Sequence, residues 1–338
     1  MLQVYDSGKW GWKHPGGNVI HTFAGEDATD AFVAFHPDLP YARRFLSASL
    51  IGVCPDAPAP SPLLHSFRQL RTKFVDEGYF NSRPYFYIWN FTHILLLEAL
   101  AVAVAWYFGA ASWIGFLLAG VLVTTAQAQA GWLQHDLGHL SLFRNREGGS
   151  KWDHLFHRIV IGTMKGASST WWNWRHYRHH AKPNVILKDM DIAAPYLFAL
   201  GREPSRDWGK KKRGFMPYRV QHRYWFMVGP PLLLPIYFHL ENIYYCFKKN
   251  EFIDLAWTMS YYIRFFALFV PFMGVAGAWK LYFLVRFLES HWFVWVTQMN
   301  HVPMNIEKDQ QREWPLLQAL STCNVEGGRF NDRAKNRM

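Results

Sequence analysis

Apolar positions in this chain fall into long blocks separated by polar ones. Tyr85 to Phe108 is apolar except for His93 and Glu98, and Ser112 to Gln134 carries no charge at all. Each block is long enough, as a helix, to cross a hydrocarbon core of about 30 Å. Gly109 to Ala111 leaves room only for a tight, uncharged turn between them. A third block, Trp225 to Phe247, is expected to kink at Gly229-Pro230-Pro231 and at Pro235. The fourth is centred on Tyr262 to Leu284, with the apolar pattern running on through Trp292 to His301. The pattern therefore predicts four membrane spans. Ahead of them, residues 63–84 mix Arg68, Arg71 and Lys73 with Leu64, Phe67, Leu70 and Phe74, as in a helix lying on a membrane surface. Pro55 to Pro62, with Pro58 and Pro60 between, is a proline-rich break and marks a domain boundary.

Composition agrees with this division. Half of the 338 residues are hydrophobic and 18% are aromatic, above the usage of a soluble protein. The mean hydropathy of −0.11 is an average over apolar spans and polar segments. The formal net charge is +11, and much of it lies in Arg202 to Arg223, where eight Lys/Arg face only Glu203 and Asp207. A basic loop between apolar spans marks the cytosolic side of a membrane protein, and no nucleic-acid partner is expected. Cys54, Cys246 and Cys323 are scattered and odd in number, which suggests neither a disulfide framework nor a cysteine metal site. Residues 1–13 contain no apolar leader, so insertion is expected from the internal spans.

The chemistry is carried by histidine. Trp171 to Lys182 reads WWNWRHYRHHAK, placing His176, His179 and His180 at i, i+3 and i+4 on one helical face. A basic, aromatic surface helix is the blander reading of that stretch. A second cluster, Gln134 to His139 (QHDLGH), decides between them, because His135 and His139 are again one turn apart, about forty residues upstream. Five imidazoles exceed what one tetrahedral zinc takes, so two metals are inferred; iron, zinc and copper all suit such ligands. His154 and His157, in KWDHLFH, read as surface or supporting residues. Near the start, His14 leads into Pro15-Gly16-Gly17, and His36 follows an amphipathic stretch holding Phe23, Ala28, Ala31, Phe32 and Phe35. Two histidines across an apolar slot suit a bis-imidazole haem. Glu26, Asp27 and Asp30 form an acidic cluster that reads either as a dock for a basic reductase or as a solvated helix face.

HPGG with AGEDATDAF and AFHPDL resembles cytochrome b5. Together with QAGWLQHDLGH, KGAS, WWNWRHYRHHAKPN, LESHWFVWVTQMNH and TCNVE, it is similar to the animal front-end fatty acid desaturases, in which cytochrome b5 is fused to a membrane desaturase. The fold so implied is mainly α: a small cytochrome b5-like α+β haem domain, then a four-span helical membrane desaturase domain with a cytosolic histidine-box cap. Expected boundaries are 1–54 for a partial haem domain, 55–84 for the proline-rich linker and interfacial helix, and 85–338 for the desaturase domain. The resemblance makes His14 and His36 ligands of haem b. It makes His135, His139, His176, His179 and His180 both catalytic residues and ligands of a non-haem di-iron centre, with His301 a further metal ligand. It implies oxygen-dependent insertion of a double bond into a polyunsaturated acyl-CoA, with electrons from NADH through cytochrome b5 reductase. The expected setting is the endoplasmic reticulum membrane, with the haem domain and histidine boxes facing the cytosol. The sequence reads as cut short at both ends: thirteen residues precede His14, and no Gln-x-x-His-His follows Glu326. A catalytically inactive membrane haem protein and a di-iron membrane hydroxylase of another lipid stay open beside the desaturase.

Overall fold

Long apolar runs satisfy their own backbone groups only as helices, and helices make up most of this chain. The computed structural model describes residues 2–8, 10–109, 111–143, 149–193, 197–211 and 214–324. Strand β1 (Leu2–Tyr5) leads through two 3-10 turns (Gly11–Lys13 and Gly17–Phe23) to α1 (Thr29–Phe35), α2 (Leu39–Ser47) and strand β2 (Leu50–Cys54). There follow α3 (Pro62–Asp76), α4 (Pro84–Phe108), α5 (Trp113–Gly138), α6 (Gly149–Arg158), a π-helical turn (Ile159–Lys165) and α7 (Ser169–Ala181). The chain ends its described part with α8 (Arg202–Lys211), α9 (Gln221–Pro235), a second π-helical turn (Ile236–Glu241), α10 (Asn242–Lys249), α11 (Phe252–Gln298) and α12 (Trp314–Ser321). The stretch after Asn324, on which the reading of a missing Gln-x-x-His-His falls, lies outside the described residues.

The contacts define two compact units, each assembled from separate stretches: residues 1–82, 173–218 and 300–324 in the first, 83–172 and 219–299 in the second. In the first, the short lead before His14 supplies β1, which pairs antiparallel with β2, Leu2 opposite Cys54. Asp38 caps α2 by accepting from the Tyr41 N–H at 2.9 Å. The proline-rich break ends in a second cap, where Ser61 Oγ accepts from the Leu64 N–H at 3.1 Å and Pro62 takes the first helical position. Phe67 of α3 and Phe35 of α1 both meet Trp314 of α12, at 6.1 and 6.2 Å between ring centroids.

In the second unit α4 and α5 form a helical hairpin turned at Gly109, at φ 61° and ψ −162°. Its core is Ala101, Ala105, Ala119 and Val123 against Tyr261, Phe265, Phe269, Ala278 and Leu281 of α11. Glu98, the one acid in the first apolar block, pairs with Arg264. A three-charge knot is buried among the helices: Lys165 pairs with Glu289, whose other oxygen takes Arg286 at 2.7 Å, and the Lys165 ammonium sits 4.3 Å from the centre of the Phe293 ring. Ions so far from water persist only when paired.

Two of the four expected spans form as single α-helices, the third is a helical run in three pieces, and the fourth is corrected. Among the described residues three helices are long and apolar enough to cross a membrane: Pro84–Phe108, Trp113–Gly138 and Phe252–Gln298. The expected third span changes its helical pitch at Pro235, one of the places read as a kink: α9 passes there into the π-helical turn, and the helical run goes on through α10 to Lys249. The expected fourth has a turn at its middle. Gly274, at φ 67° and ψ 169°, breaks α11. Twenty residues of straight helix would separate Tyr262 from Tyr282 by about 30 Å, yet their ring centroids are 6.2 Å apart, and those of Phe266 and Trp279 are 4.6 Å apart. The two arms of α11 therefore fold back on each other.

Both hairpins depend on a backbone region open to glycine almost alone. Gly274→Ala and Gly109→Ala are each expected to cost about 1–3 kcal/mol and to lower the Tm of the detergent-solubilised protein. Gly52→Ala, where nothing lies within 4 Å and φ is ordinary, serves as the control. An unchanged Tm for Gly274→Ala contradicts the turn.

Candidate functional site

The first predicted pair ends α5 in the second unit. His135 and His139 lie edge to face with ring centroids 4.7 Å apart, and Trp172 stands edge-on to them at 5.7 and 6.3 Å. Behind Trp172, at 5.3 Å, is His157. Its Nε2 donates to Gln134 Oε1 at 2.8 Å, the residue just before His135. His157 is fully buried, so of the two readings of KWDHLFH the supporting one fits it and the surface one does not; His154 is half-buried. Gly138 is required by this packing, since a Cβ there would fall 2.4 Å from the Trp172 ring and 3.2 Å from His157 Cε1. Burial lowers the His157 pKa to about 3, so the ring stays neutral.

The start of α7 is set within the same unit by Asp254. Its Oδ2 accepts from Ser168 Oγ at 2.8 Å, Ser169 Oγ at 2.9 Å and the Thr170 N–H at 2.9 Å, while Oδ1 takes Arg158 Nε at 2.7 Å. A carboxylate at a helix N-terminus satisfies orphan donors and complements the dipole. Ser-Ser-Thr announces a helix start in the sequence, but Asp254, more than eighty residues on, carries no local signal.

The rest of α7 belongs to the first unit. His176 and His180 bring their Nε2 atoms to 3.0 Å, and the ring of His179 lies 5.5 Å from that of His180 and 4.6 Å from that of His301. His176, His179, His180 and His301 are thus brought together. His179 Nδ1 bonds Asp189 Oδ2 at 3.0 Å, with Asp191 Oδ2 at 3.9 Å. Asp189 is itself fixed by the N–H groups of Asn184 and Asp191, each at 2.8 Å. Burial alone would lower the His179 pKa; the adjoining Asp189 carboxylate outweighs it and raises the value to about 9. His301 Nδ1 donates to the Ser321 carbonyl at 3.0 Å. Tying Nδ1 to an acceptor leaves Nε2 as the nitrogen offered to a metal. His179, Asp189 and Asp191 also have ligand atoms within 4.8 Å of one another, close enough to hold an ion. The two aspartates went unread in the sequence, although KDMD follows the histidine helix closely.

His14 and His36 meet in the first unit with ring centroids 6.0 Å apart. His36 Nδ1 donates to the Phe32 carbonyl at 2.8 Å, the same arrangement as in His179 and His301. His14 differs: its Nδ1 accepts from the Gly16 N–H at 3.2 Å, a long bond that ligation through Nε2 would give up. Phe32, 4.3 Å from His36, and Trp10, 5.3 Å from His14, supply apolar walls. Gly16 keeps the cradle open, because a Cβ would fall 2.9 Å from His14 Cε1, and Gly17 turns the chain at φ 64°. Burial and then the neighbouring His36 lower the His14 pKa to about 4, and burial lowers that of His36. Two neutral imidazoles in an apolar cleft are the donor set haem iron takes.

His157 gives a pH test. Its folded pKa lies below the unfolded value of 6.5, so the stability it contributes is present above pH 6.5 and is lost as pH falls toward 3. One differential proton is worth about 1.4 kcal/mol per pH unit. His157→Gln should flatten the fall of Tm between pH 6.5 and 5; an unchanged slope contradicts a buried neutral ring.

Two family models match this chain: Fatty acid desaturase over residues 111–333, and Cytochrome b5-like Heme/Steroid binding domain over residues 2–55. The first spans about two thirds of the sequence and includes every histidine of the first and second boxes and His301. With helices of membrane-spanning length and composition between them, the chain belongs to the fatty acid desaturase family, as a membrane oxidoreductase with a cytochrome b5-like domain at its N-terminal side as electron donor.

Proposed function

We propose that this protein is a front-end desaturase of polyunsaturated acyl-CoA, with haem b on His14 and His36 and two non-haem irons on His135, His139, His176, His179, His180 and His301. Residues 1–54 are read as the haem domain, 55–84 as linker and surface helix, and 85–338 as the desaturase domain. The observation that carries this reading is the second histidine set, with Nε2 atoms 3.0 Å apart in His176 and His180 and with His179 held by Asp189. Iron, when bound, supplies the oxygen activation needed to remove hydrogen from an unactivated methylene, which no side chain can do. The chain's own part is to orient the imidazoles and to hold them in place. Asp189 and the Ser321 carbonyl fix the rings of His179 and His301. Trp314 Nε1 and Gln318 Nε2 donate to the His180 carbonyl at 3.1 and 3.0 Å, fastening the end of α7.

Electrons are assigned to NADH through cytochrome b5 reductase. The location assigned is the endoplasmic reticulum, with the basic residues 202–223 and both histidine boxes on the cytosolic side. Exposed Leu63, Leu70, Phe74 and Val75 on α3 support a helix resting on the bilayer surface.

Yeast fed linoleic or eicosatrienoic acid tests the reaction, with fatty acids read by gas chromatography. The six histidines assigned to iron fall short of two full iron shells, so the chain tested is residues 1–338 joined to a segment carrying Gln-x-x-His-His. A new double bond on the carboxyl side is expected from it, and none from its His176→Ala, His179→Ala or His180→Ala variants. No product from the extended chain favours the inactive homologue. His36→Ala is expected to abolish the low-spin Soret band of the purified protein, and an unchanged spectrum rules out His36 as a ligand.

A further inference from the structure

The acidic cluster of the N-terminal segment is already engaged by cations of its own chain. Within the first unit, Glu26 accepts from Lys182 and, at 3.4 Å, from Lys188. Asp309 accepts from the same two ammonium groups, Lys182 at 3.0 Å. Lys188 also donates to the Thr22 carbonyl at 2.7 Å, and Lys182 lies 5.1 Å from the centre of the Phe23 ring. The Lys182 side chain is 0% exposed and that of Glu26 only 7%. Two cations and two anions close a neutral square, the condition under which ions tolerate burial. Beside it Arg68 grips Asp30 with two hydrogen bonds, at 2.9 and 2.8 Å. Of the three acids, Asp27 alone is exposed.

The positions of these residues give the square its meaning. Glu26 lies between His14 and His36. Lys182 follows His180 by two residues, Lys188 directly precedes Asp189, and Asp309 follows His301 by eight. We infer that Glu26, Lys182, Lys188 and Asp309 are positioning residues that dock the segment bearing His14 and His36 onto the segment bearing His176, His179 and His180. The same contacts take Glu26 and Asp30 away from any external partner, so an outside electron donor must use another face. This deepens the functional reading above, in which those two segments hold haem and iron.

The dock is testable without turnover. A protease site placed in the exposed linker Pro55–Pro60 cuts the purified full chain, and size exclusion in detergent at low salt then separates what is no longer held. The N-terminal piece of the otherwise unaltered chain is expected to co-elute with the remainder. Glu26→Lys, and independently Lys188→Glu at the more exposed corner, should raise the free piece at least ten-fold. Asp27→Lys, the same charge change one residue away, should leave it bound. Loss of the N-terminal piece from the unaltered chain, retention in both corner variants, or release by Asp27→Lys would each overturn the inference. Because no product is measured, the outcome is independent of whether desaturation is observed.

Discussion

The chemistry of this chain depends on charges that are buried only because they are paired. Asp254 is the clearest case. Taken out of water alone, its carboxylate would cost several kcal/mol, but it collects two serine hydroxyls, the Thr170 N–H and Arg158 instead. In doing so it fixes the first turn of α7. A helix whose start is pinned has its later side chains fixed in register, and the side chains that follow on α7 are His176, His179 and His180. The Lys165–Glu289–Arg286 knot obeys the same rule among the membrane helices, where the alternative to pairing is hydrocarbon.

Imidazole geometry follows a second, simpler rule. A histidine can serve a metal through one nitrogen only if the other is told where its proton belongs. The Phe32 carbonyl does this for His36, Asp189 for His179 and the Ser321 carbonyl for His301. Two of these three acceptors are backbone carbonyls. They leave no trace in residue type, and for the same reason they constrain the ring without adding charge. Asp189 does add charge, and it sets His179 apart from the neutral, buried His157.

What the sequence determined by itself is whatever depends on local spacing and composition. Histidines at i and i+4 face one way wherever a helix forms, apolar runs of more than twenty residues become α4 and α5, and His-Pro-Gly-Gly needs its glycines because a turn and a close ring approach occur at the same place. Tertiary structure decided what depends on partners distant in the chain. Gly274 sits in an apolar run indistinguishable from a single span, and only the packing of Tyr262 and Phe266 against Trp279 and Tyr282 shows that the helix folds back there. Glu26 and Asp30 read as a free acidic face because their partners, Lys182, Lys188 and Arg68, lie 38 to 162 residues away. Asp254 and Asp189 gave no signal for the same reason. A lone aspartate reads alike whether it is solvated or buried, and the difference is made by donors that the fold, not the neighbouring sequence, brings to it.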